Sequence, residues 1–214
     1  MFNNHTYTSR TLTADVHHWT HWITTHLHLS GLRLDALKHL SLTFVLALIR
    51  SLQASHPSLL IIGEYWKWSS SPSLVSIISA LESRIHLYDV QLFYNFADYS
   101  SGTRTDLRRW ASGSLLELRP GSAVTVVGTH DTQRGQTLYI PFEPWFLPHA
   151  YALTLLRECA SLPCVFCGHL FGVEGPEREG RLEWLPRMVL VRRECAFGVQ
   201  RGYFDEGGCV GWVR

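Results

Sequence analysis

The sequence predicts an α/β fold of parallel strands, and within that class a (β/α) barrel. Short apolar runs alternate with helical patterns along the 214 residues, which is the grammar of strand-helix units joined by right-handed crossovers. Two of them, 59–62 and 123–127, read as continuously apolar strands covered on both faces. Polar side chains gather at their C-terminal ends: Arg33 and Asp35, Glu64, and His130 with Asp131. A barrel collects its working groups there from several strands. A doubly wound sheet satisfies the alternation equally well, but no Gly-rich phosphate loop follows any strand.

Residues 12–28 place Val16, Trp19, Ile23 and Leu27 at helical spacing, with His17, His18 and His21 on the other side; this predicts an amphipathic helix whose histidines form a solvated face. A short strand, Gly31-Leu32-Arg33-Leu34-Asp35, follows. A helix over 42–53 stops near Pro57. The run 59–62 is a second strand ending in Gly63-Glu64, with a helix around 74–81. A third unit is expected as a strand over 87–92 and a helix over 105–111. The run 123–127 is a strand ending in Thr129-His130-Asp131, and 145–159 is its helix, with Trp145 and Tyr151 as core. A strand over 163–166 and a helix near 185–193 make a fifth unit.

With 46% hydrophobic and 17% charged residues the chain has enough apolar material for a sizeable core. A formal charge of +1, with Arg and Lys scattered singly or in pairs, offers no surface for nucleic acid. The longest apolar run, 42–49, is too short to span a bilayer, and Met1 is followed by polar residues with no apolar leader, so a membrane partner is not expected either. Five cysteines, an odd number, fit a reducing, cytoplasmic setting. Cys164 and Cys167 form a CxxC, but on an extended strand they point to opposite faces, against a metal or redox role. Asn4-His5-Thr6 is a sequon that matters only on a secreted chain.

A lone Asp at a strand end is commonly a helix cap or turn residue. Three carboxylates in three ordered motifs carry more weight. Residues 31–40, GLRLDALKHL, resemble the nucleophile motif of the α-amylase family, glycoside hydrolase family 13; residues 61–67, IIGEYWK, resemble its acid/base motif; residues 126–136, VVGTHDTQRGQ, resemble its third-carboxylate motif. The stretches LYDVQLFYNF, EPWFLPHAYALTLLRE, PCVFCGHLFG and FGVQRGYFDEGGCVGW are similar to its cytoplasmic and liquefying-type branch. The resemblance implies a partial TIM (β/α)8 barrel made of the last five β/α units, residues 1–200, and a stub of a C-terminal β-domain, residues 201–214.

By resemblance, Asp35, Glu64 and Asp131 are the catalytic carboxylates of a retaining hydrolase acting on α-1,4-glucans, and are expected to converge at the strand ends. Arg33, Lys38, His39, Trp66 and His130 fall at substrate-binding positions, Trp66 being open to either packing or sugar stacking. The backbone carbonyl at His39 falls at a calcium-binding position. Retaining chemistry needs one ionised carboxylate to attack the anomeric carbon and one protonated carboxyl to donate to the leaving oxygen. Arg33, two residues before Asp35 and so on the same strand face, favours the ionised form. Glu64, between an apolar strand and Tyr65-Trp66, sits where burial favours the protonated one.

The chain also departs from the pattern. The family's Asp-rich segment ending in Asn-His is absent, and with it a binding His and most calcium ligands. Thr129 stands where the family usually has Asn, Cys167 where it has Tyr and His169 where it has Asp. Three classes therefore stay open: a hydrolase whose N-terminal half comes from elsewhere, a non-catalytic remnant that binds glucan weakly, and an unrelated metal-dependent barrel hydrolase.

Overall fold

The computed structural model describes residues 10–66, 72–158, 160–174 and 180–214. The chain divides into two compact units, Met1–Tyr88 and Asp89–Arg214. The sequon at Asn4, Lys67 of the second motif and Cys159 lie outside the described residues.

The first unit runs α1 (Arg10–His26), β1 (Gly31–Leu34), a 3-10 turn (Leu37–His39), α2 (Leu42–Ser55), β2 (Leu60–Gly63), α3 (Pro72–Ala80) and β3 (His86–Tyr88). Its strands are parallel, with Arg33 opposite Ile62 and Gly63 opposite Leu87. Val45, Leu48, Ile49 and Leu52 of α2, Ile61 of β2, Ile78 of α3 and Leu87 of β3 are all buried. At about 1.5–3 kcal/mol for each large aliphatic side chain removed from water, this cluster is what holds the helices on the strands.

The face that α1 buries is not the one its apolar spacing selects. Trp19, Trp22 and Leu27 are 57%, 53% and 57% exposed, whereas Thr20 and Thr24 are buried. The Thr20 hydroxyl donates to the Val16 carbonyl at 2.6 Å, so it enters the interface with α2 already satisfied. His17 and His21, expected in solvent, face α2 instead.

The second unit runs α4 (Val90–Ser100), a 3-10 turn (Leu107–Arg109), α5 (Leu115–Leu118), β4 (Ala123–Val126), α6 (Leu147–Leu155), β5 (Leu162–Cys164), α7 (Cys167–Phe171), α8 (Leu185–Glu194) and an antiparallel hairpin of β6 (Arg201–Glu206) and β7 (Cys209–Val213). β4 is buried at every position and pairs in parallel with β5, Thr125 opposite Pro163. The expected strand over 87–92 ends at Tyr88, because Asp89 turns the chain into α4. Its Oδ1 accepts from Leu92 N at 3.1 Å and from Leu115 N at 3.0 Å, and its Oδ2 from Leu116 N at 2.7 Å. One fully buried carboxylate thus caps two helices. The expected helix over 105–111 is only the 3-10 turn, capped by Asp106.

Tyr151 is core, as expected, but Trp145 is 58% exposed on a 3-10 turn, its indole N–H donating to the Ser100 carbonyl at 3.1 Å. Cys164 closes β5 and Cys167 opens α7, so the two do not share a strand. Among the described residues, no helix is long and apolar enough to cross a membrane.

Candidate active site

β1 and β2 run parallel with Leu34 opposite Gly63, so the residues just past them, Asp35 and Glu64, emerge side by side. The backbone locks this exit: Glu64 N donates to the Leu34 carbonyl and Leu37 N to the Glu64 carbonyl, each at 2.9 Å. Ala36 makes the turn in a left-handed conformation, φ 47°, which costs a residue bearing a Cβ about 1–2 kcal/mol. Gly63 is fixed by crowding. A Cβ there would lie 2.8 Å from Ile85 Cδ1, 2.8 Å from Leu87 Cδ2 and 3.0 Å from Leu37 Cδ2.

Arg33 Nη2 contacts both carboxylates, Asp35 Oδ1 at 2.9 Å and Glu64 Oε2 at 2.8 Å. Sharing one nitrogen keeps these oxygens within about 6 Å of each other, short of the roughly 6.5–9.5 Å of inverting pairs. The two groups differ sharply in exposure: the Asp35 side chain is 71% exposed and that of Glu64 6%. Trp66 Nε1 donates to Glu64 Oε1 at 2.7 Å. Burial pushes the Glu64 carboxyl above its ordinary value and the adjoining Asp35 adds to this, against the pull of Trp66, Arg33 and Ala36 N–H toward the ionised form. Trp66 itself is buried, so its indole serves Glu64 and the core. Lys38 and His39 are exposed on the 3-10 turn that follows.

In the second unit, Asp131 follows β4 on a turn fixed by two threonines. Thr132 Oγ1 accepts from Thr129 N at 2.8 Å and donates to the Thr129 carbonyl at 3.2 Å, while Thr129 Oγ1 accepts from Asp131 N at 3.3 Å. Thr129 therefore spends its hydroxyl on the turn. His130 Nε2 lies 3.2 Å from Asp131 Oδ2, and both side chains are partly exposed. Behind them, buried His169 accepts or donates through Nδ1 to Tyr151 Oη at 2.8 Å. Its Cε1 lies 3.1 Å from where a Cβ on Gly128 would sit. A cavity of about 1030 Å³ borders this turn, lined in part by Thr132, Arg134, Tyr139, Phe142 and His169.

The structure thus brings Arg33, Asp35, Glu64 and Trp66 into one cluster and His130 with Asp131 into another. Gly63 and Ala36 have no site role in the sequence reading, and Tyr151 enters it as core alone. The dipeptide Gly63-Glu64 at a strand end was the available signal for the first, since a glycine there marks close approach.

Calcium takes six to eight oxygen ligands. Among the described residues no group of three or more His, Cys, Asp or Glu is placed to hold a metal ion, so the residues present do not make a cage around His39.

No family model matches the chain. The chain is 35% identical over 225 residues to the cytoplasmic α-amylase of Escherichia coli (strain K12), an alignment covering 100% of this chain and 44% of that protein. It is 34% identical over 200 residues to the α-amylase of Geobacillus stearothermophilus, covering 92% and 36%. The chain therefore spans less than half the length of these relatives. Among solved structures, a cyclomaltodextrinase matches with TM-score 0.70 at 16% identity over 95% of this chain and 38% of that one. The α-amylase of Geobacillus thermoleovorans complexed with acarbose matches with TM-score 0.67 at 17% identity over 95% and 50%. These likenesses give the fold, α/β and a partial TIM barrel with a small antiparallel hairpin.

Proposed function

Because the chain is homologous to the α-amylase family, glycoside hydrolase family 13, over part of the catalytic domain, we propose that it carries the acid and nucleophile of a retaining α-glucan hydrolase. The observation that supports this best is the Arg33 nitrogen shared by an exposed and a buried carboxylate. Asp35, open to solvent and paired with Arg33, is the nucleophile that attacks the anomeric carbon. Glu64, pushed up by burial, holds the proton that passes to the leaving glycosidic oxygen and, once the glycosyl ester has formed, takes a proton from water. Asp131 is the third carboxylate, holding sugar hydroxyls more tightly in the transition state than in the ground state, with His130 beside it. Arg33 holds Asp35 in place through its ion pair; Lys38 and His39 line the leaving-group side. Trp66 acts through its hydrogen bond to Glu64.

The substrate class is starch- or glycogen-like α-1,4-glucan, the compartment the cytoplasm, and residues 201–214 the first strands of a C-terminal β-domain following a catalytic part over residues 1–200. The shortfall in length against the relatives favours a second reading beside the first: by itself the chain is an inactive amylase-derived fragment or a glucan-binding remnant, and turnover needs the N-terminal part of the barrel.

The test is a chimera in which this chain replaces the matching 44% of the Escherichia coli protein. Hydrolysis of maltooligosaccharides with retained α-configuration is expected. Asp35→Asn and Glu64→Gln should each lower kcat by about a thousandfold, some 4 kcal/mol, without unfolding the protein. A chimera whose turnover survives either change would end the assignment.

A further inference from the structure

A seam of imidazoles joins α1 to α2. His17 packs edge-on against Phe44, ring centroids 5.9 Å apart, and its Nε2 is buried without a hydrogen-bond partner. One turn further on, His21 Nε2 lies 2.8 Å from Ser51 Oγ of α2. Just past the end of α2, His56 Nε2 lies 3.2 Å from Thr25 Oγ1 of α1, and the His21 and His56 rings are 6.5 Å apart. Among the described residues, no carboxylate is bonded to these rings. α2 contains no Asp or Glu, and its one charged residue, Arg50, is engaged with Glu82. On α1 the acidic residue is Asp15, exposed and two positions before His17, hence about 200° around the helix. His18 and His26 are exposed on the same helix and bring only further positive charge when protonated.

We infer that this seam is an acid-labile latch: protonation of His17, which has His21 beside it and no carboxylate paired with it among the described residues, releases α1 from α2. Burial, and then His21, holds His17 below its ordinary value of 6.5. The folded state therefore binds fewer protons than the unfolded one in the window between that lowered value and 6.5. The stabilisation is complete above about 6.5 and is lost as pH falls through the lowered value. Release has a consequence beyond α1, because residues 27–30 lead directly into β1, which carries Arg33 and delivers Asp35. The latch does not depend on what the site hydrolyses.

Hydrogen exchange on the whole chain, corrected for intrinsic rates, tests it between pH 7.5 and 5.0. The opening equilibrium of α1 should rise on the order of tenfold per pH unit below about 6.5 until the lowered value is reached, with α2 keeping its protection. His17→Phe, which packs on Phe44 without titrating, should abolish the α1-specific loss. Ser51→Asp, which supplies a counter-charge opposite His21, should preserve α1 at acid pH. Equal α1 protection across the range, or a loss that persists in His17→Phe, overturns the latch. Imidazole resonances of the unaltered chain give a reading that needs no variant: His17 titrating at or above the ordinary histidine value overturns it too.

Discussion

At Glu64 two influences oppose each other, burial favouring the proton and three donors, Trp66, Arg33 and Ala36 N–H, favouring its loss. Removing one donor should therefore move the balance further toward the acid. Trp66→Phe deletes the 2.7 Å hydrogen bond to Oε1 while keeping an aromatic in place; that bond favours the ionised form, so the Glu64 midpoint should move further up in a carboxyl-carbon NMR titration. An unchanged midpoint would show that the indole does not hold the ionised form. The same imbalance has a stability consequence. A carboxyl whose folded pKa lies above its unfolded value lends stability below that unfolded value, and loses it as pH rises through the folded one. Glu64→Gln should accordingly stabilise the chain relative to its parent at pH 7 and not at pH 4 in urea unfolding. A difference that does not change between the two pH values would contradict the buried-acid account.

The elements meet at two crowded points that carry disproportionate weight. Gly63 has no room for a side chain between β2 and the packed Ile85, Leu87 and Leu37. Gly63→Val should cost about 1–3 kcal/mol in urea unfolding and displace Glu64, read as a change in its titration. Asp89 is the other point, since its carboxylate answers backbone N–H groups of α4 and α5 together. Asp89→Ala leaves three buried donors unanswered and should cost at least about 3 kcal/mol, with Asp89→Asn recovering part of the loss through its remaining oxygen. A cost below about 1 kcal/mol in the alanine variant would mean that water replaces the carboxylate.

For the molecule as a whole, length against its relatives sets the expectation. A barrel fixes strand tilt and stagger by closure, and misplacement of catalytic groups by about 1 Å costs on the order of a hundredfold. Purified, monodisperse chain 1–214 should therefore show no turnover of soluble starch above its Asp35→Asn variant, with or without added calcium. Robust turnover abolished by that substitution would show that five β/α units suffice.

The alternation of continuous apolar runs with helical patterns was enough to specify the α/β class, the positions of β1, β2 and β4, and the pairing of Arg33 with Asp35, because a period of two puts them on one face whatever surrounds them. The three ordered motifs carried the family. Periodicity orients side chains within an element but does not say which face a neighbour will cover, and this is where tertiary structure decided. It turned α1 so that Thr20, Thr24 and His17 face inward and Trp19 faces water. It ended the third strand at Tyr88 by giving Asp89 two helices to cap, one of them more than twenty residues away. It brought Glu64 to the Arg33 nitrogen already holding Asp35, and Trp66 to the far side of Glu64. Each of these is a contact between groups distant in sequence or a choice between two allowed faces, and their free energies depend on desolvation and on partners that local pattern does not contain.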